Sequence, residues 1–104
     1  MKIVAVTSEE RMEEIPEVAT WIEQGVDMVF PHWRGIMGPP NMTQEEIAYW
    51  DEKISSMVET EAWKTLLKNN GWSSFYKNSS ETMEFLNGQN QNYETLLSES
   101  GLTD

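Results

Sequence analysis

The stretch at residues 32–46, HWRGIMGPPNMTQEE, constrains the fold of this chain more than any other segment. It follows an apolar run at residues 26–30, and its Gly38 to Asn41 turn interrupts both strand and helix patterns. Thr43 and Glu46 then have the spacing of a capping box, in which each side chain accepts a hydrogen bond from the other residue's backbone N–H. We therefore expect strands and a short helix before this stretch, and mostly helix after it.

Three segments have the composition of strands. Residues 2–7 are β-branched and almost entirely apolar, which is typical of a buried parallel strand, and residues 26–30 and 72–77 are shorter candidates. A helix over residues 17–24, ended by Gly25, is expected between the first two strands. The predicted fold class is therefore α/β, with a β-α-β start followed by two long helices that have a short strand between them.

Helices are predicted from Thr43, from about Glu61 to a left-handed cap at Gly71, and from Asn78 or Ser79 to Gly101. Their apolar residues recur at three- and four-residue steps, so we expect those side chains to form a core. The expected core residues are Ile47, Trp50, Ile54, Met57, Val58, Trp63, Leu66, Leu67, Met83, Phe85, Leu86, Tyr93, Leu96 and Leu97.

The charge balance excludes several classes of partner. With 18 acidic and 7 basic residues, the formal net charge is −11, which disfavours binding to nucleic acid or to an anionic membrane surface. The absence of Cys excludes disulfides, thiolate metal sites and a Cys nucleophile. A length of 104 residues allows one domain, expected over residues 1–104. No signal peptide or transmembrane segment is recognisable, so the chain as given would be cytoplasmic.

Four motifs, in order, carry a family resemblance. They are the AVTSEER run ending at Arg11, the IPEVAT segment ending at Thr20, the Trp33-x-Gly35-x-x-x-Pro39 turn, and the helix end that leads to Trp72. Together they are similar to the C-terminal part of the TctC or Bug family, the solute-binding proteins of tripartite tricarboxylate transporters. The sequence departs from the family pattern at Ala19, Gly38 and Asn41-Met42, where Pro, Ala and Gly-Thr are commoner; Asn41 can still adopt a positive φ.

The resemblance implies a C-terminal fragment, about a third of a full-length member, that forms one incomplete domain. It would be a partial lobe of a type II periplasmic-binding-protein fold. Full-length members are extracytoplasmic, membrane-anchored receptors that bind a small carboxylate and deliver it to membrane permease subunits, without a cofactor and without enzymatic activity. The isolated fragment is expected to bind no carboxylate tightly, and its unpaired strand edges are expected to make it a homo-oligomer. The alternative is a stand-alone small acidic protein-interaction domain without a small ligand.

The candidate ligand-binding residues are Thr7, Ser8, His32, Trp33, Arg34 and Gly35. Thr7 and Ser8 end a strand that, by the resemblance, runs near the crossing between lobes, where a hydroxyl can contact a carboxylate. The alternative interpretation is a local turn or helix cap formed by these hydroxyls. Carboxylate pairs of the glycosidase kind also occur, but 18 acidic residues produce such pairs by chance, so we predict no enzyme.

The tetrad from His32 to Gly35 has two interpretations throughout. His32 is the only His and lacks neighbouring ligands, which favours a backbone-bonded histidine over a metal ligand or general base. Trp33 and Arg34 either shape a ligand rim, or pack between elements and pair with a carboxylate. Gly35 is expected to relieve a crowded backbone more than to contact a ligand.

Overall fold

A computed structural model describes residues 1–102, and its regular structure is helical. A short 3-10 helix (Ile22–Gln24) is followed by three α-helices, which are α1 (Gln44–Val58), α2 (Glu61–Asn69) and α3 (Ser79–Glu99). Contacts divide the chain into two compact units. One comprises Met1–Gly38 and Thr65–Phe75, and the other comprises Pro39–Lys64 and the described residues from Tyr76 onward. The expectation of one domain over residues 1–104 stays a prediction.

The first unit is organised around a single parallel β-bridge between Val6 and Thr20. The Val6 N–H donates to the Ala19 carbonyl over 3.1 Å, and the Trp21 N–H donates to the Val6 carbonyl over 3.0 Å. Val6, Val18 and Thr20 are the buried residues of the described part of the chain. This small cluster therefore fixes the early segments, although it buries little apolar surface.

The predicted α/β fold class is wrong for this chain. Over residues 1–102 there is no sheet: residues 2–7 contribute one bridge residue, and residues 26–30 and 72–77 form no strand. The predicted helix over residues 17–24 is reduced to the 3-10 turn at Ile22–Gln24. The physical reason is that a strand needs a partner along its length to satisfy its backbone. Residues 2–7 form a β-bridge only at Val6, and the Thr7 carbonyl adds a single further backbone hydrogen bond, from the Phe30 N–H.

The starts of the long helices follow the sequence signals. Thr43 precedes α1 with the complete capping box, since its hydroxyl accepts from the Glu46 N–H over 3.2 Å and the Glu46 carboxylate accepts from the Thr43 N–H over 2.8 Å. Asn78 forms the same reciprocal box with Glu81 at the start of α3. Both predicted starts are confirmed, with Asn78 chosen over Ser79. Each capping box needs only two residues three positions apart, so it forms without a distant partner.

Glycines end three helical segments in the same way. Gly25, Gly71 and Gly101 all have a positive φ, between 63° and 88°. At each site the glycine N–H and the following N–H donate back into the last turn, as in the Trp72 N–H to Leu67 carbonyl bond of 2.9 Å. This pair of backbone hydrogen bonds is the Schellman motif. The predicted ends at Gly25, Gly71 and Gly101 are therefore confirmed.

The expected helical core does not form within the described residues. None of the residues in the three α-helices is buried, and the Trp50 side chain remains 54% exposed. Of the remaining thirteen predicted core positions, six are exposed and seven are half-buried. The half-buried positions are Ile47, Ile54, Val58, Trp63, Leu67, Phe85 and Leu86. The apolar periodicity is real, but this chain supplies too little surface to cover the stripes.

In the second unit, α1 and α3 are joined through a carboxylate. Asp51 on α1 accepts from the Ser79 N–H over 2.9 Å and from the Ser79 hydroxyl over 2.6 Å. Ser79 is the first residue of α3, where backbone N–H groups lack partners within the helix. Asp51 therefore supplies a tertiary acceptor and a favourable charge at the positive end of α3.

Candidate functional site

Thr7 joins the first extended segment to the second one. The Phe30 N–H donates to the Thr7 carbonyl over 2.8 Å, and the Thr7 hydroxyl donates to the Phe30 carbonyl over 2.7 Å. Two segments that were predicted as strands, residues 2–7 and 26–30, are thus joined at their ends, although not as strands. The Thr7 hydroxyl therefore already donates its proton to the backbone. The same bond places Thr7 beside Phe30, two residues before His32.

Ser8 forms a local turn. Its hydroxyl donates to the Glu10 carbonyl over 2.6 Å, two residues further along the chain. This geometry is the side-chain-to-backbone turn that serine favours in loops. Both predicted hydroxyl residues therefore have a structural partner in the chain.

The tetrad is open to solvent at most positions. His32, Arg34 and Gly35 are exposed, while Trp33 is half-buried. A Cβ added at Gly35 would lie 3.8 Å from a carbon of the Trp33 ring, which is an ordinary van der Waals distance. Steric crowding therefore does not explain glycine at position 35, and that interpretation is wrong.

Arg34 lies over an aromatic ring. Its guanidinium carbon is 4.4 Å from the centroid of the Trp72 ring, well within the range of a cation–π interaction. Arg34 forms no ion pair with a carboxylate among residues 1–102, so the alternative in which it pairs with a carboxylate does not occur. The tetrad's cation is positioned by an aromatic face instead.

Sequence reasoning missed Trp72 as a site residue. Trp72 directly follows Gly71, whose left-handed conformation and Schellman bonds fix where the chain leaves α2. The available signal was this Gly71-Trp72 pair at the predicted helix end. It located Trp72 along the chain, but it gave no indication that Arg34 would lie against it.

A second missed feature is the carboxylate of Glu23. It accepts from Arg11 Nε and Nη2 over 2.7–3.0 Å, and from the Thr20 N–H over 2.9 Å. Arg11 also donates to the Pro16 carbonyl over 3.0 Å. The Arg11 hydrogen bonds, followed by the Thr20 hydrogen bond, lower the pKa of Glu23 from its ordinary 4.5 to about 2. Arg11 is thereby engaged in structure, which the AVTSEER motif alone did not indicate.

The turn before α1 borders a shallow depression in the second unit, with a volume of about 440 Å³. Asn41 adopts φ = 66°, as its turn chemistry predicted. The depression is lined by Pro39, Pro40, Asn41, Met42, Glu46 and Trp50. Its lining contains no cation, so it is poorly suited to hold an anion.

Within residues 1–102, no group of three or more His, Cys, Asp or Glu side chains is arranged to hold a metal ion. None of the helices in the same range is long and apolar enough to cross a membrane. The features that stand out are therefore the Thr7–Phe30 junction and the Arg34–Trp72 contact, both in the first unit.

Comparison with known proteins identifies the family. Residues 1–102 match the family model TctC, described as the tripartite tricarboxylate transporter family receptor. No curated protein and no solved structure matches the chain. The match confirms the resemblance carried by the four sequence motifs and covers all residues that the structure describes. The chain therefore belongs to the receptor family of the tripartite tricarboxylate transporters.

Proposed function

We propose that this chain is a C-terminal piece of an extracytoplasmic receptor that binds a small carboxylate and presents it to membrane permease subunits. The single observation that carries the proposal is the family match over residues 1–102. The protein would bind and release its solute without chemical change, and so would not be an enzyme. We propose a solute-contacting region that comprises Thr7, Ser8 and His32–Gly35, all within the first unit.

The exposed surface supports the proposal that the chain is part of a larger protein. The chain exposes 8860 Å², whereas two separately folded proteins of half its 12.0 kDa mass would expose about 7,200 Å² together. Large apolar side chains are exposed in both units, for example Val4, Met37 and Met83, which are 72%, 86% and 60% exposed. In the complete receptor, we propose that the remaining polypeptide covers them.

The first test asks what the source cells make. An antibody raised against this chain is used to probe separated membrane and soluble fractions on an immunoblot. The proposal predicts a band well above 12.0 kDa in the membrane fraction. A single soluble band at 12.0 kDa would contradict it and favour a stand-alone acidic interaction domain.

The second test asks what the receptor binds. The larger protein is purified and titrated calorimetrically with acetate, succinate, citrate and an uncharged control such as glycerol. The proposal predicts saturable binding of at least one carboxylate and none of glycerol. If no carboxylate of one, two or three carboxyl groups binds, the proposed solute class is wrong.

The chain by itself should behave differently from the complete receptor. We expect no micromolar carboxylate binding, because a binding cleft would be incomplete, and a micromolar constant on this chain would contradict that expectation. We also expect a homo-oligomer, since exposed apolar side chains can pair between copies. Salt should favour the oligomer by screening the repulsion of a −11 charge. Light scattering that shows only monomer at both low and high salt would refute the oligomer.

A further inference from the structure

Arg34 differs from Arg11, the other arginine of the chain, in what it contacts. Arg11 is held by the Glu23 carboxylate, with several hydrogen bonds. Arg34, by contrast, lies over the Trp72 ring at 4.4 Å, and its N–H groups have no hydrogen-bond acceptor among the described residues. The aromatic face orients the guanidinium but does not neutralise its charge.

The position of Trp72 is set by the backbone. The Trp72 N–H donates to the Leu67 carbonyl over 2.9 Å and the Gly71 N–H donates to the Lys68 carbonyl over 3.1 Å, which together close the end of α2. Gly71, with φ = 63°, permits this conformation at little steric cost. The ring that supports Arg34 is therefore attached to a defined helix end and not to a loose loop.

The surroundings of Arg34 leave room for a ligand. Arg34 and Gly35 are exposed, and the space where a side chain at position 35 would stand meets nothing closer than the Trp33 ring at 3.8 Å. A guanidinium carries five N–H donors in a planar fork, which matches the two oxygens of a carboxylate. A guanidinium that has no carboxylate partner among the described residues favours an anionic ligand.

We infer that Arg34 is a carboxylate anchor, and that Trp72 is the residue that positions it. This inference rests on the proposed function and deepens it, because it assigns one carboxyl group of the solute to one side chain. The carboxylate would accept two N–H bonds from the edge of the guanidinium while the guanidinium stays over the indole. Recognition at this point would use a side-chain cation in addition to the hydroxyls of Thr7 and Ser8.

The test uses this chain and resolved side-chain signals. The Arg34 Nε–H resonance is followed by ¹H–¹⁵N NMR while succinate or citrate is added to about 50 mM, with sodium chloride at equal ionic strength as the blank. The inference predicts a saturable shift with millimolar affinity. Arg34→Gln should weaken the binding, followed through backbone amides near residue 34, by roughly 10- to 100-fold. Arg34→Lys should lose most of the affinity, since the charge remains but the fork is gone.

Lys53→Gln is the matched control, because Lys53 also lies over a ring, that of Tyr49 at 5.3 Å, and its loss removes the same charge. It should leave the affinity unchanged within twofold. The inference is overturned if Arg34→Gln and Lys53→Gln weaken binding equally, since that would indicate only general electrostatics. It is also overturned if Arg34 shows no saturable response. Either result would overturn only the role of Arg34. Carboxylate binding by the complete receptor is tested separately, by the calorimetric titration.

Trp72 is tested as a positioning residue by two substitutions. Trp72→Phe keeps an aromatic face and should retain most of the affinity, whereas Trp72→Leu should lose about as much as Arg34→Lys. The amide signals of Gly71 and Leu67 report whether the end of α2 is intact in both variants. Equal affinities for Trp72→Phe and Trp72→Leu, with α2 intact, would overturn the positioning role.

Discussion

The link between Asp51 and Ser79 gives the most direct test of how the second unit is held together. Asp51 accepts two hydrogen bonds from the first residue of α3, one from the backbone N–H and one from the hydroxyl. We predict that Asp51→Ala destabilises the chain, because it leaves the Ser79 N–H without a tertiary acceptor and removes a negative charge from a helix N-terminus.

The magnitude follows from the two bonds. Hydrogen bonds to a charged group contribute about 1.5–3 kcal/mol, and Asp51 is only half-buried, so we take about 1 kcal/mol for each bond. Alanine is a better helix former than aspartate by roughly 0.5 kcal/mol, which offsets part of the loss in α1. The expected net decrease in the free energy of unfolding is about 1.5 kcal/mol. Ser79→Ala removes only the hydroxyl bond, and because alanine is a better helix former than serine by roughly 0.5 kcal/mol, the expected net cost is about 0.5 kcal/mol.

The assay is equilibrium urea unfolding followed by far-ultraviolet circular dichroism, which reports the three helices. Glu52→Ala is the control, since Glu52 is the exposed neighbouring acid on α1 and its loss changes the net charge by the same amount. It should change the free energy of unfolding by less than about 0.5 kcal/mol. Hydrogen exchange at the Ser79 amide gives a second readout, because Asp51→Ala should speed its exchange.

The reasoning is refuted if Asp51→Ala and Glu52→Ala have equal effects on the free energy of unfolding. It is also refuted if the double variant Asp51→Ala, Ser79→Ala shows simple additivity. A shared hydrogen bond requires a coupling energy between the two positions of about 0.5 kcal/mol or more. Additivity would mean that Asp51 acts only through its charge and that the hydroxyl contributes nothing to the junction.

Three further predictions concern local features of the chain. Since the pKa of Glu23 is about 2 when folded, against 4.5 ordinarily, its stabilisation should be fully present above about pH 4.5 and be lost as the pH falls toward 2. Carboxyl ¹³C titration measures this, and a midpoint near 4.5 would contradict it. Gly71→Ala should cost about 1 kcal/mol of unfolding free energy, because φ is 63° there; an unchanged urea midpoint would refute this. Thr43→Ala should cost about 1 kcal/mol by removing the cap of α1, while Thr43→Ser should restore most of the loss; equal stability of both variants would contradict the cap.

The helix boundaries could be predicted because their determinants are close together in the sequence. The capping box of Thr43 and Glu46 and the Schellman end at Gly71 each close over three to five residues. No distant partner is needed for these hydrogen bonds. For the same reason the family resemblance, which consists of short ordered motifs, was sound and was confirmed over residues 1–102.

The strands could not be predicted from composition alone. Residues 2–7 have the apolar, β-branched character of a buried strand, but within this chain only Val6 forms a bridge. The helical stripes failed in the same way, because periodicity shows which face prefers burial and not whether a covering surface exists. Trp50 illustrates this, since it lies on the expected apolar face of α1 and remains 54% exposed.

The sequence by itself determined the family, the helix ends and the turn at Asn41, because each depends on neighbouring residues. Only the tertiary structure decided which distant groups meet. It placed the Arg34 guanidinium over the Trp72 ring, hydrogen-bonded Arg11 to the Glu23 carboxylate, and hydrogen-bonded the Thr7 hydroxyl to the Phe30 carbonyl. These contacts join residues 12 to 38 positions apart, and among many cations, acids and aromatic rings no local pattern indicates which pair will form.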